Sequence, residues 1–145
     1  MAGSFTDFAE NGVLDTVFGA EETFSTSAHA NLYFSLWRST GASVGDAMTG
    51  ATTGECAGST YARVAHANTT ANWAHSTAGV KLLKVACTMT TAAGSDWGTI
   101  GAIAIGTSGV SAGNVIVYST LTGGAKVINS GDTVVITTGF SITLT

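Results

Sequence analysis

The sequence predicts an all-β fold, an antiparallel β-sandwich of jelly-roll-like type with one short N-terminal helix. Three observations carry that expectation. Charged residues make up 10% of the 145 residues, against about 25% in ordinary globular domains, so there is little material for salt-bridged helical faces. The 19 glycines, with many serines and threonines, supply tight turns. Short β-branched and aromatic runs then recur at regular spacing between those turns, the pattern of a sandwich or barrel. A hydrophobic share of 45% is too high for disorder, and the length suits one domain spanning residues 1–145.

The one helical signal covers residues 4–19. Ser4 is the expected N-cap with Asp7 three residues on, Phe5, Phe8, Leu14, Val17 and Phe18 fall roughly on one face, and Gly19 is the stop. Strand signals follow at 31–37, 61–66 and 80–89. The last third adds runs at 97–105, 115–118, 133–136 and 140–144, parted by the turns Ser111-Ala112-Gly113-Asn114 and Asn129-Ser130-Gly131-Asp132. Small residues at Gly101, Ala102 and Ala104 allow close sheet packing. Residues 39–60, rich in Gly, Ala, Ser and Thr, are long for a structureless loop and read as an adaptable surface. No proline is present, which removes a common block to edge pairing and favours assembly.

Composition excludes several functions. A net charge of −4, with Arg38, Arg63, Lys81, Lys84 and Lys126 scattered, makes no cationic face, so no nucleic acid partner is expected. No run approaches the roughly 18 apolar residues of a spanning helix, and no membrane partner is expected. The opening Met1-Ala2-Gly3-Ser4 has neither a basic nor an apolar leader segment, which predicts cytoplasmic synthesis. Cys56 and Cys87 stand in no metal-ligand spacing and read as free thiols. His29, His66 and His75 lack the spacings that would converge rings on an ion with Asp46 or Asp96, and Glu21-Glu22 reads as a solvated loop; no metal or cofactor is expected. Asn68-Thr69-Thr70 matches a glycosylation acceptor, a pattern that matters only in a secretory pathway.

Gly41-Ala42-Ser43-Val44-Gly45 matches the G-x-S-x-G nucleophile elbow, but nothing after it reads as helix. No catalytic constellation emerges, and the chain is expected not to be an enzyme. Trp37, Trp73 and Trp97, with Tyr33, Tyr61 and Tyr118, suggest a sugar platform or, more ordinarily, core and strand-pair residues. Arg63 sits in an otherwise apolar run, so its guanidinium is expected to find a carboxylate, with Asp132 and Asp96 as candidates, or backbone carbonyls, at or near a subunit interface.

Several stretches occur together in a recognisable order: Phe8-Ala9-Glu10-Asn11-Gly12-Val13-Leu14-Asp15, Leu32-Tyr33-Phe34-Ser35-Leu36, Gly58-Ser59-Thr60-Tyr61-Ala62-Arg63-Val64, Gly94-Ser95-Asp96-Trp97-Gly98-Thr99-Ile100, Ala112-Gly113-Asn114-Val115-Ile116-Val117-Tyr118 and Val127-Ile128-Asn129-Ser130-Gly131-Asp132. Over nearly its whole length the chain resembles a family of small tailed-bacteriophage virion proteins, labelled head-decoration or tail-fibre proteins. The resemblance implies a non-enzymatic capsid decoration (cement) protein at the capsid surface of the virion. Its implied partners are the major capsid protein and itself, as a homotrimer. The alternative is a tail-fibre, tail-tip or head-fibre component that attaches to a host glycan. The candidate interface residues are Phe5, Phe8, Leu14, Phe18, Arg63, Trp37 and Trp97.

Overall fold

A computed structural model describes residues 3–18, 29–38, 45, 48–50, 53–110 and 112–143. The fold is an all-β sandwich. Its main layer is a six-stranded antiparallel sheet built from β1 (Gly3–Phe5), β2 (Asn31–Arg38), β3 (Val64–Ala67), β6 (Gly98–Gly106), β7 (Val115–Thr120) and β8 (Lys126–Ile128). Two ribbons complete it, β4 (Val80–Leu82) with β10 (Ser141–Thr143) and β5 (Cys87–Thr88) with β9 (Val135–Ile136). The strand order is β1-β7-β6-β2-β3, with β8 paired to β6.

β6 organises the sheet. One edge pairs with β2 from Tyr33↔Gly106 to Arg38↔Ile100. β7 and β8 share the other edge, β7 along Ala102–Gly106 and β8 along Gly98–Ile100. The chain turns back between them through Gly123 and Gly124, whose φ of 88° and 84° lie in the left-handed region open to glycine.

Both faces of the sheet centre are covered, so Phe34-Ser35-Leu36-Trp37 and Ala102 to Ile105 are buried without a break. The side-chain sizes still alternate. Phe34, Leu36, Ile103, Ile105 and Val117 face a large core closed by Trp73, Leu83, Met89, Trp97 and Ile136. On the opposite face Trp37 lies over Ala102 and Ala104 with Met48 and Val115. The alanines of β6 are the space that the indole fills.

Three expectations need correction. The run 80–89 is not one strand, because Leu83 N donates to Phe140 O and Lys84 N to Asn72 O, which carries the chain out of one ribbon before it enters the other. The helix does not begin at Ser4: residues 3–5 pair with β7 as an edge strand (Phe5↔Val117), and the helix α1 runs Asp7–Phe18. Thr6 takes the N-cap position, its carbonyl accepting from Glu10 N at 2.9 Å while its buried hydroxyl bonds Val115 O. The described parts of 39–60 are also not an adaptable surface. Met48 is core, Cys56 N donates to Leu36 O, and Arg38 N donates to Gly54 O, so this segment completes the edge of β2 where β3 ends. Ser43, Asp46 and Glu21-Glu22 lie outside the described residues.

His66 on β3 is shut into the large core, edge-on to Phe34 and Trp73 at centroid distances of 5.8 and 5.7 Å. Its Nε2 has no hydrogen-bond partner among the described residues. Burial lowers its pKa below the ordinary 6.5. The folded state therefore holds this ring neutral while the unfolded chain takes up a proton near pH 6.5, so stability is full above that pH and falls as pH drops towards the lower folded value. The melting temperature is expected to fall from pH 7 to pH 5, and the fall is expected to shrink in His66→Phe. Equal slopes in the two proteins would show that another group sets the dependence.

Candidate interaction surface

Three features outside ordinary strand packing are candidates for function. The first is an ion pair. Glu55 reaches Arg63 across the end of β2, where Trp37 and Glu55 form an isolated bridge. The Arg63 Nη2–Glu55 Oε2 distance is 2.6 Å, with side chains 6% and 13% exposed. Arg63 Nε donates to Glu55 Oε1 at 2.8 Å, Nη1 to the carbonyls of Ser108 and Ala112, and Nη2 also to Gly50 O. Tyr61 adds to it, donating its hydroxyl to Glu55 Oε1 at 2.8 Å and accepting from Leu36 N at 2.9 Å. The Glu55 bonds hold the proton on Arg63, and burial, with the Glu55 charge second, pushes the Tyr61 phenol up. Gly50 is required here by close approach: a Cβ would come within 2.2 Å of Ala112 O.

Arg63 has the partners that its apolar setting requires, but its carboxylate is Glu55 and not Asp132 or Asp96. Asp132 accepts from Asn129 N at 2.8 Å and Asp96 from Ser130 N at 2.7 Å, so both pin the 129–132 turn. A cleft of about 500 Å³ lies beside the network, but both guanidinium arms and Nε are already bonded within the chain, which leaves Arg63 little to offer a neighbour.

The second feature is α1. It packs against β1 and β7 through small residues: Ala9 is fully buried and Gly12 is buried as well. Its large residues point away, with Phe8 40%, Val13 42%, Leu14 53% and Phe18 79% exposed. The helix carries Asp7 and Glu10 in its first turn and no basic residue in its last. Phe8, Leu14 and Phe18 are thus surface residues, while Phe5 is half-buried in β1. The side chain of Val17 lies outside the described residues.

Trp37 and Trp97 are corrected. Both are 0% exposed and belong to the cores, so neither offers a surface to a partner or, with the buried Trp73, to a sugar. Trp97 is closed over by Tyr61, edge-on at 5.3 Å. Cys56 and Cys87 are free and buried, and burial raises both thiols to about 11, which keeps them unreactive. Among the described residues no group of three or more His, Cys, Asp or Glu gathers to hold a metal, and no helix is long and apolar enough to cross a membrane.

The third feature is a cavity of about 480 Å³ at the open side of the large core, between β6, β8 and the 134–141 segment. Its walls include Ile100, Ile103, Ile128, Val134 and Phe140, and Lys126 is the one charged residue of the lining among the described residues. It leaves no signal in the sequence, because β8 is only three residues long and Lys126 carries no motif.

Compared with known proteins, residues 4–145 match the model of a family described as Podophage GP4 fiber I protein gp80. No curated protein matches the chain.

Proposed function

Because the chain belongs to the podophage GP4 fiber I protein gp80 family and is a structural protein of a bacteriophage virion, we propose that it is a non-catalytic fibre subunit that works as a homotrimer. The observation that carries this reading is the family match along residues 4–145. The exposed apolar side of α1 supports the self-association, since large apolar residues turned outward on a folded helix mark an interaction surface. A fibre subunit needs strong contacts with copies of itself and one seat on the particle, and neither requires a catalytic group.

A second reading is a cement protein seated on the major capsid protein at the outer head surface. It is favoured by the absence of any internal repeat of the kind that builds a long shaft. Copy number separates the two. Gel densitometry of purified virions is expected to give a small multiple of three if the protein builds a few fibres, and hundreds of copies if it coats the head lattice. Its absence from purified particles would overturn both readings.

A further inference from the structure

We propose that α1 of one copy docks in the apolar cavity of a second copy, with Leu14 and Phe18 seated inside and Glu10 meeting Lys126 at the mouth. This deepens the homo-oligomer part of the proposed function and rests on it. Residues 10, 14 and 18 are spaced i, i+4, i+8, so they form one stripe along the helix, about 12 Å from end to end. Leu14 and Phe18 are 53% and 79% exposed, and the stripe is headed by a carboxylate on a helix whose last turn has no cation.

The cavity is complementary in each respect. Its volume of about 480 Å³ falls in the roughly 300–1,000 Å³ range of sites that enclose a ligand group. Its walls are mainly aliphatic and aromatic with Thr137, Thr138 and Ser141 at one side, no acidic residue lines it among the described residues, and Lys126 stands among them. Lys126 is exposed, and its ammonium has no hydrogen-bond or ion-pair partner among the described residues.

The chain does not fill this cavity with its own helix. α1 lies against β1 and β7, whereas the lining comes from β2, β6, β8, β9, β10 and their connections. Helix and cavity are therefore two different patches on one surface, and pairing them between copies is a heterologous contact, which must close as a ring, of three copies in the homotrimer, to leave no end free. Proline-free strands and low charge do not oppose such closure.

The test is a charge exchange read by light scattering on the purified full chain. Wild-type protein is expected to be oligomeric at micromolar concentration. Phe18→Asp and, from the cavity side, Val134→Trp are each expected to weaken association at least tenfold. Glu10→Lys and Lys126→Glu are expected to weaken it severalfold each, and the double variant to recover most of the loss. Circular dichroism checks that the variants remain folded; Phe18, Glu10 and Lys126 are exposed, so three of the four changes leave the cores untouched. Variants that stay oligomeric with wild-type affinity, or an exchange that restores nothing, overturn the contact while leaving the homo-oligomer standing. A wild-type monomer overturns both, and so does a monomer whose cavity takes up a fatty-acid probe.

Discussion

Replacing Arg63 with alanine is expected to destabilise the fold by about 3–5 kcal/mol, because it strands a nearly buried carboxylate rather than merely deleting a contact. Among the described residues Glu55 would keep the Tyr61 hydroxyl as its one remaining donor, and the carbonyls of Gly50, Ser108 and Ala112 would all lose Arg63 at once. Those carbonyls belong to two segments distant in sequence, so the guanidinium ties the 50–55 stretch to the β6–β7 connection. Arg63→Lys keeps the charge without the fork of donors and is expected to recover less than half of the loss. Glu55→Gln leaves the three carbonyl bonds and is expected to cost less than Arg63→Ala. Urea denaturation of the three variants gives the order. An Arg63→Ala protein within about 1 kcal/mol of wild type would mean that solvent reaches this network and that it is an ordinary surface pair.

The strands at 31–38 and 98–106 are legible in the sequence because a central strand buried on both faces reads as a continuous run of Phe, Leu, Trp, Ile and Ala. Short edge elements are not. β1 is three residues, Gly3–Phe5, held by pairing with β7 rather than by its own propensity, and a Ser-x-x-Asp pattern at its position imitates a helix start. The deeper failure concerns α1. Amphipathic reasoning assigns large apolar residues to the packed side, whereas this helix approaches the sheet through Ala9 and Gly12 and turns Leu14 and Phe18 outward. Sequence pattern reports that a helix has an apolar side; whether that side faces its own chain or another is decided by which residues let the backbones come close. Arg63 was legible as a group in need of partners, since a buried guanidinium must be satisfied. Glu55 was not, because the bridge that brings it beside Trp37 leaves no local periodicity.

Trp37→Ala is the second substitution expected to have a large effect, about 3–5 kcal/mol, typical of emptying an indole site that cannot collapse. Trp37 sits opposite Ala102 in register and packs with Ala104, Met48 and Val115. The alanine methyls have no rotamer that could swing into the void, and β6 cannot shift because β2 and β7 hold it on both edges. Trp37→Phe is expected to cost less, yet more than its volume change alone, since Trp37 Nε1 donates to Ser35 Oγ at 3.0 Å and that buried oxygen would lose its donor. Adding Ala104→Leu to Trp37→Ala is expected to recover part of the loss by refilling the trough from the other strand. Phe18→Ala is the contrast: with 79% of the residue exposed, it is expected to change the stability of the isolated fold by less than about 0.5 kcal/mol while weakening association. The aromatics that the sequence offers as one set thus divide physically, into rings whose loss unfolds the chain and rings whose loss separates its copies. A Trp37→Ala protein that unfolds like wild type in urea but no longer associates would move Trp37 to the second group and overturn the core assignment.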